Sequence, residues 1–136
     1  MSSTFITLES EEQWGEILEK SVENKTAIFV DFTATWCGPC QRIGPYFHGK
    51  SEEYKESIFV KIDVDKFSEL VSSSGVECMP TFKVFIDKEV KDTMIGANFL
   101  KLDQFIEQYS DCSSYYSSET IEQEEVDEDK TVETLE

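Results

Sequence analysis

The 136-residue sequence predicts an α/β protein in which a central mixed β-sheet is flanked by helices on both faces. Two nearly unbroken apolar and β-branched runs, at 26–33 and 57–64, are typical of strands that are buried on both faces. Two segments of alternating hydrophobicity, Thr81–Ile86 and Glu89–Ile95, are separated by two polar residues and predict an antiparallel hairpin. Helical patterns fall between and after the strands. The resulting order, β-α-β-α-β-α-β-β-α, favours a mixed sheet between two helical layers.

A short β-like segment at 4–8 comes first in the chain. Ser10 followed by Gln13 fits a capping box, in which side chains satisfy the free backbone N–H groups at the start of a helix. Apolar residues then recur at helical spacing as far as Asn24: Trp14, Ile17, Leu18 and Val22. We therefore expect the first helix to lie between the first two strands.

The second helical pattern runs from Cys37 to about Tyr54 and contains Pro45, which is expected to kink the helix. A short third helix is predicted at 66–73, and Gly75 ends it. After the hairpin, a last amphipathic helix is indicated by Phe99, Leu102, Phe105, Ile106 and Tyr109.

Composition predicts one folded domain at 1–109 and a disordered acidic tail at 110–136. The first part carries 19 acidic and 11 basic side chains, and the second carries 10 acidic side chains and one lysine. This negative balance disfavours binding to nucleic acid or anionic lipid. Because the sequence shows neither a secretory signal nor an apolar run of membrane-spanning length, we expect a soluble cytoplasmic protein in a reducing compartment.

The cysteine pair Cys37 and Cys40 follows directly after the predicted central strand. If Cys37 opens a helix, Cys40 lies one turn later, about 5–6 Å away between Cβ atoms. This spacing is near the range in which a disulfide closes with little strain, about 4.4–6.8 Å between Cα atoms. The start of a helix also presents free N–H groups and a partial positive charge, and both favour the thiolate. Taken alone, the pair allows zinc binding, a structural disulfide or redox exchange. A four-cysteine zinc site is disfavoured because the other two cysteines do not repeat the spacing.

Further residues of functional interest lie before and after the pair along the sequence. They are Asp31, Trp36, Gly38, Pro39, Pro45, Lys61, Met79-Pro80-Thr81 and Gly96-Ala97. With Trp36-Cys37-Gly38-Pro39-Cys40, these residues resemble thioredoxin over roughly residues 3–109, and the run from Cys78 to Phe82 resembles eukaryotic cytosolic members. The resemblance implies the thioredoxin fold. Gln41 departs from it, since many members have lysine at this position.

In such a protein Cys37 would be the attacking thiolate and Cys40 the resolving thiol. The resemblance implies that Asp31 is a buried carboxyl with a raised pKa that accepts the proton of Cys40, and that the buried Lys61 is its partner. The alternative for Asp31 is a carboxylate at a strand end that reaches solvent or caps a helix.

The resemblance also implies a substrate-binding surface beside the cysteines. Pro80 is expected to be cis and to hold the backbone of Met79 where a substrate strand can pair with it. Trp36 is either a core residue or, as we favour, a flat rim for the substrate. Gly38 and Pro39 would set the turn at the start of the helix, and Gly96 would line the groove.

The remaining candidates are single residues. Cys78 is either inert or a regulatory thiol that forms intermolecular disulfides under oxidation, in which case the expected monomer would form a Cys78-linked dimer. Cys112 has no partner that the sequence identifies, and His48 is expected at the surface. No bound cofactor or metal is expected.

The resemblance implies a protein-disulfide reductase that works through a redox-active Cys37–Cys40 disulfide in electron transport and cell redox homeostasis. Its partners would be disulfide-containing protein substrates and thioredoxin reductase, which would supply electrons from NADPH. The alternative is a redox-gated docking module that uses the fold and the acidic tail. An isomerase or oxidase is disfavoured by Gly38 and Pro39 and by the lack of a secretory signal.

Overall fold

A computed structural model of the chain describes residues 4–116. The elements follow the predicted order. They are β1 (Phe5–Thr7), α1 (Glu11–Asn24), β2 (Ala27–Thr33), α2 (Gly38–Glu53), β3 (Ile58–Asp63), α3 (Ser68–Ser73), β4 (Thr81–Ile86), β5 (Glu89–Ile95) and α4 (Phe99–Ser110).

The five strands form one mixed sheet in the order β1-β3-β2-β4-β5. β1, β3 and β2 run parallel, whereas β4 is antiparallel to both β2 and β5. β2 is therefore central, and each of its seven residues is buried. The register aligns Asp31 with Lys61 on β3 and with Phe82 on β4. The predicted hairpin of β4 and β5 is confirmed.

Successive residues of β2 face two different apolar cores, as the alternation of a strand requires. Ala27 and Phe29 belong to the core beneath α2 and α4, whereas Ile28, Val30 and Phe32 belong to the core on the other face, which includes Ile17 of α1 and Val71 of α3. By the same alternation Asp31 faces the helix that follows the cysteines. The sheet is thus covered by helices on both faces, as predicted.

Local signals in the sequence determined several helix ends correctly. The Ser10 hydroxyl accepts a hydrogen bond from the Gln13 amide, so the predicted cap of α1 is confirmed. Cys37 is the N-cap of α2 and not its first helical residue. Pro45 lies inside α2 as predicted.

The packed part of the chain continues beyond the predicted boundary at residue 109. Residues 113–116 form one helical turn, and Cys112 and Tyr116 are buried in the same core as α4. Their burial ties 110–116 to the domain, although composition had grouped this segment with the tail. The expected disorder of the acidic tail concerns residues 117–136, which lie outside the described part of the chain.

Candidate active site

The two cysteines lie at the start of α2 and are joined by a disulfide, with 5.3 Å between their Cα atoms. Cys37 has an extended backbone, and Cys40 is in the first turn of the helix. This arrangement arises because the chain leaves β2 through a short loop and Pro39 then favours helical geometry at the first turn. The pair therefore sits at the carboxyl end of the central strand.

The two sulfurs differ in exposure and in contacts. Cys37 is 6% exposed and Cys40 is 1% exposed, so Cys37 is the more accessible of the two, as expected. The Cys40 amide points to Cys37 Sγ at 3.2 Å. In the reduced protein, this N–H group and the helix N-terminus would both stabilise a thiolate on Cys37.

Asp31 is buried beneath the helix, with only 2% of its surface exposed. Its Oδ1 has no hydrogen-bond partner within the described residues. Burial raises the pKa of this carboxyl from its ordinary 3.8 to about 7, and the positive charge of Lys61 offsets part of the effect. Burial and the raised pKa were both expected, and the alternative of a carboxylate that reaches solvent or caps a helix is wrong.

Lys61 corrects one expectation, because its side chain is exposed and not buried. It stands beside Asp31 in the register of β3 and β2. No ion pair joins the two side chains among the ion pairs of residues 4–116. The physical reason is that Lys61 lines an open cleft, where its ammonium group can stay hydrated. Its charge still lowers the pKa of Asp31.

A cleft of about 340 Å³ connects this buried carboxyl with the second cysteine. Asp31 and Cys40 both line it, together with Lys61 and His48. His48 itself is exposed, as expected, and its ring stacks on Phe5. The cleft is large enough for water, so a proton could pass between Cys40 and Asp31 without direct contact.

On the other side of the disulfide, the loop before β4 approaches Cys37. The peptide bond between Met79 and Pro80 is cis, which confirms that expectation. The Met79 carbonyl oxygen lies 3.9 Å from Cys37 Sγ. The Gly96 amide donates to the Pro80 carbonyl at 2.9 Å, and the φ of Gly96 is +104°, a conformation that favours glycine.

Trp36 lies at the rim of the site, with 66% of its surface exposed. This exposure shows that the alternative of a core residue is wrong, whereas the expected role of Trp36 as a rim for the substrate stays a prediction. Its indole Nε1 donates to Asp65 Oδ2 at 2.9 Å. Sequence reasoning missed Asp65, which is 29 positions away and carries no local pattern that links it to Trp36. Gln41 donates from Nε2 to the Ala34 carbonyl at 2.8 Å, so it supports the loop before the cysteines.

The other two cysteines are free thiols that lie in different surroundings. Cys78 is exposed, whereas Cys112 is buried and 3.5 Å from the Lys25 carbonyl. Burial raises the pKa of the Cys112 thiol, which makes it less reactive. Within residues 4–116, no group of three or more His, Cys, Asp or Glu side chains is arranged to hold a metal ion.

Three features of this site together define a class of protein. They are a cysteine pair at a helix start that can form a disulfide, a buried carboxyl beside the pair and a cis-proline loop against it. These are the parts that thiol–disulfide exchange requires, and the protein is a thiol–disulfide oxidoreductase.

Comparison with known proteins gives the particular family. The thioredoxin family model matches residues 5–108. The chain is 42% identical over 89 residues to thioredoxin 1 of Plasmodium falciparum, covering 65% of this chain and 86% of that protein. It is 38% identical over 111 residues to the H-type thioredoxin of Chlamydomonas reinhardtii, covering 81% and 98% of the two chains. A crystal structure of a thioredoxin from Nicotiana alata superposes with a TM-score of 0.75 at 33% identity, covering 82% of this chain and 96% of that one. The chain belongs to the thioredoxin family.

Family membership implies disulfide substrates and reductase partners in general terms. The match ends at residue 108, so it does not extend to the segment 109–136. Within the described residues, no helix combines the length and apolar character needed to cross a membrane.

Proposed function

We propose that the protein is a protein-disulfide reductase in which Cys37 attacks the client and Cys40 resolves the intermediate. The observation that carries this assignment is the asymmetry of the pair. Cys37 is the more exposed of the two cysteines, and its sulfur accepts a hydrogen bond from the Cys40 amide at the start of the helix. Cys40 is 1% exposed and lines the cleft together with Asp31.

The reaction proceeds in two exchanges. The Cys37 thiolate attacks one sulfur of the client disulfide, so that a Cys37–client bond forms and the other client sulfur leaves as a thiolate that takes a proton. Cys40 then gives its proton to Asp31 and attacks Cys37 Sγ, which releases the second client sulfur. The client gains two electrons and two protons, and the Cys37–Cys40 dithiol becomes a disulfide.

Asp31 suits the role of proton acceptor because its pKa of about 7 lies near neutral pH. Lys61 acts through its charge, since it favours the ionised carboxylate and so lowers the pKa of Asp31. Lys61 is therefore a positioning residue for the proton, not a group that contacts the client.

The client binds to the surface at which Cys37 is accessible. Among the described residues, neither the amide nor the carbonyl of Met79 pairs with another backbone group, so both are available to a client strand. Pro80 and Gly96 hold that loop in place. Trp36 offers a flat apolar face at one side of the disulfide. Gly38 and Pro39 keep the start of α2 compact beside Cys37.

The disulfide is returned to the dithiol by thioredoxin reductase, which transfers two electrons from NADPH to Cys37 and Cys40 with uptake of two protons. The chain shows no nucleotide-binding motif of its own, so the electrons come from a partner. The exposed free thiol of Cys78 fits a reducing, cytoplasmic compartment.

The test is reduction of insulin disulfides driven by NADPH and thioredoxin reductase. The intact chain should be active and the Cys37→Ser variant inactive, with Cys112→Ser as a cysteine-removing control that keeps activity. A lack of activity in the intact chain would favour the redox-gated docking module instead.

A second variant separates the two cysteines. Cys40→Ser should form mixed disulfides with clients, because the resolving thiol is missing, and non-reducing gels should show them. If Cys40→Ser forms none and Cys37→Ser does, the two roles are reversed.

A further inference from the structure

A cavity of about 520 Å³ lies far from the cysteines. Glu52 and Glu53 line it, and they are the last two residues of α2, the helix that begins beside the disulfide. Because the 16 residues of α2 rise about 1.5 Å each, its two ends are about 24 Å apart. The volume of the cavity is within the range of about 300–1,000 Å³ that is typical of sites for small molecules.

One wall of this cavity is built by residues beyond the family match. Residues 110–113 line the cavity, whereas the match ends at residue 108. This wall is held in place because Cys112 and Tyr116 are buried in the same core as α4. Membership of the thioredoxin family therefore does not account for the cavity.

Three helices end at the cavity. Glu53 is the last residue of α2, Ser110 is the last residue of α4 and Lys25 is the C-cap of α1, and all three line it. The carboxyl end of a helix carries a partial negative charge and carbonyl groups without partners in the helix. The last turn of α4 contains no basic residue, and Lys50 in the last turn of α2 is bound to Asp103. The helix ends therefore favour a ligand that donates hydrogen bonds and carries positive charge.

Carboxylates outnumber ammonium groups around the cavity. Lys25 and Lys55 are the lysines that line it, and they stand against four acidic side chains. Within residues 4–116, no three acidic, histidine or cysteine side chains are arranged to hold a metal ion, so the carboxylates do not converge on one point. They suit a ligand with several separated positive groups. The four acidic residues are Glu52, Glu53, Glu56 and Asp111.

The inner wall offers a free acceptor and apolar surface. Thr26 lines the cavity, and its buried hydroxyl oxygen has no hydrogen-bond partner among the described residues. Buried polar atoms are normally hydrogen-bonded, and an N–H donor would satisfy this oxygen. Tyr54 and Cys112 also line the cavity and pack with the core beneath α4, so they present apolar surface to an aliphatic chain.

We propose that this cavity binds an aliphatic polyamine, a molecule in which two or more ammonium groups are joined by short methylene chains. The ammonium groups donate to the helix carbonyls and the carboxylates, and the methylene chains lie against Tyr54 and Cys112. This inference goes beyond the proposed function, because no step of the disulfide exchange uses the cavity.

Charge also decides against an occupant from the chain itself. The segment 117–136 carries nine acidic side chains and one lysine, so it does not complement a cavity at which helices end and carboxylates are in excess. The net charge of −17 favours the approach of a cation instead.

The probe is spermidine, titrated into the isotope-labelled full chain in its disulfide form. Backbone amide shifts in NMR spectra then report binding residue by residue. The shifts should saturate and should be largest at 25–26, 52–57 and 110–113, which line the cavity. Hexanediol, an uncharged aliphatic chain, should cause no shifts there at the same concentration.

A triple variant links this binding to the carboxylates of the cavity. It combines Glu52→Gln, Glu56→Gln and Asp111→Asn, which are near-isosteric changes at exposed positions, and the same spectra report whether the fold is kept. Binding measured at the cavity amides should weaken about tenfold, as expected when three exposed charge pairs are lost together.

The matched control removes the same charge elsewhere. It combines Glu9→Gln, Glu12→Gln and Glu16→Gln at exposed positions in and just before the first half of α1. At about 0.1 M salt, exposed charges are largely screened beyond about 10 Å, so this variant should keep the wild-type affinity at the cavity.

The acidic segment 117–136 can also attract spermidine, and its own amides report that contact separately. Shifts confined to 117–136, an equal response to hexanediol, or an equal loss of affinity in the two triple variants would each overturn the polyamine site. Reduction of insulin by the intact chain does not depend on this result, so the proposed function would stand in each of these cases.

Discussion

A polar group is buried at each end of the central strand β2, but only one of the two groups has its hydrogen bonds satisfied. At the carboxyl end, Asp31 is buried with an oxygen that has no partner among the described residues. At the amino end, the Tyr116 hydroxyl is buried next to three backbone groups. It accepts from the Asp87 amide at 3.1 Å and lies 3.1 Å from the Thr26 carbonyl and 3.4 Å from the Ser21 carbonyl.

The difference separates stability from function. A satisfied buried hydroxyl stabilises the fold, whereas a buried carboxyl with an unpartnered oxygen costs free energy when it is charged. This unfavourable burial lies at the site of the thiol chemistry, where it raises the pKa of Asp31 to about 7. Substitutions at the two ends should therefore have opposite effects on stability.

The largest expected effect is that of Asp31→Asn on the rate of the exchange. We expect the attack of Cys40 on the mixed disulfide to slow by about 100-fold at neutral pH, because the amide cannot accept a proton. Stopped-flow measurement of single turnovers between pH 6 and pH 9 gives this rate. An unchanged rate across that range would exclude Asp31 as the proton acceptor.

The stability of the same variant relative to the wild type should increase as pH rises. The unfolded chain loses the Asp31 proton near pH 3.8 and the folded protein near pH 7, so the folded state binds more protons between these values. The wild-type free energy of unfolding therefore falls over this interval and levels off above about pH 7. From pH 5 to pH 8 the advantage of Asp31→Asn should grow by about 2–3 kcal/mol, as urea unfolding of the disulfide form would show.

The carboxyl end of the strand was largely predictable from sequence, because its features are local. The apolar run 26–33 interrupted by Asp31, the spacing of Cys37 and Cys40, and Pro80 before Thr81 are each visible within a few residues. What could not be predicted was the exposure of Lys61, since it depends on a cleft that is lined by residues from β1, β2, α2 and β3.

The contacts at the amino end of β2 were not predictable, because they join distant parts of the chain. The serine- and tyrosine-rich composition after residue 109 resembles a solvated tail. Yet Tyr116 reaches backbone groups 29, 90 and 95 positions away, and no local pattern encodes such contacts. The same reason explains why the hydrogen bond from Trp36 to Asp65 was missed.

The next largest effect is expected at that end, from Tyr116→Phe. The variant leaves the buried Asp87 amide without its acceptor, which should lower the free energy of unfolding by about 1–3 kcal/mol. Exchange activity should not change, because Tyr116 lies at the end of β2 opposite the cysteines. The control is Tyr115→Phe at a more exposed neighbour, where the change should stay within about 0.5 kcal/mol. Equal stability of the two variants in urea would show that the amino end does not depend on this hydroxyl.

The smallest effect concerns the turn that Tyr116 holds. Asp87 and Lys88 both have positive φ, at 56° and 69°, and this hairpin geometry favours glycine at its second position. Lys88→Gly relieves that strain but loses the exposed ion pair with Glu19, which is worth little. We expect a net gain of about 0.5–1 kcal/mol. Lys88→Ala is the matched control, since it loses the same ion pair and keeps the strain, so it should be no more stable than the wild type. If both variants are equally stable in urea, the positive φ of Lys88 costs the fold no measurable free energy, and the strain argument for this turn fails.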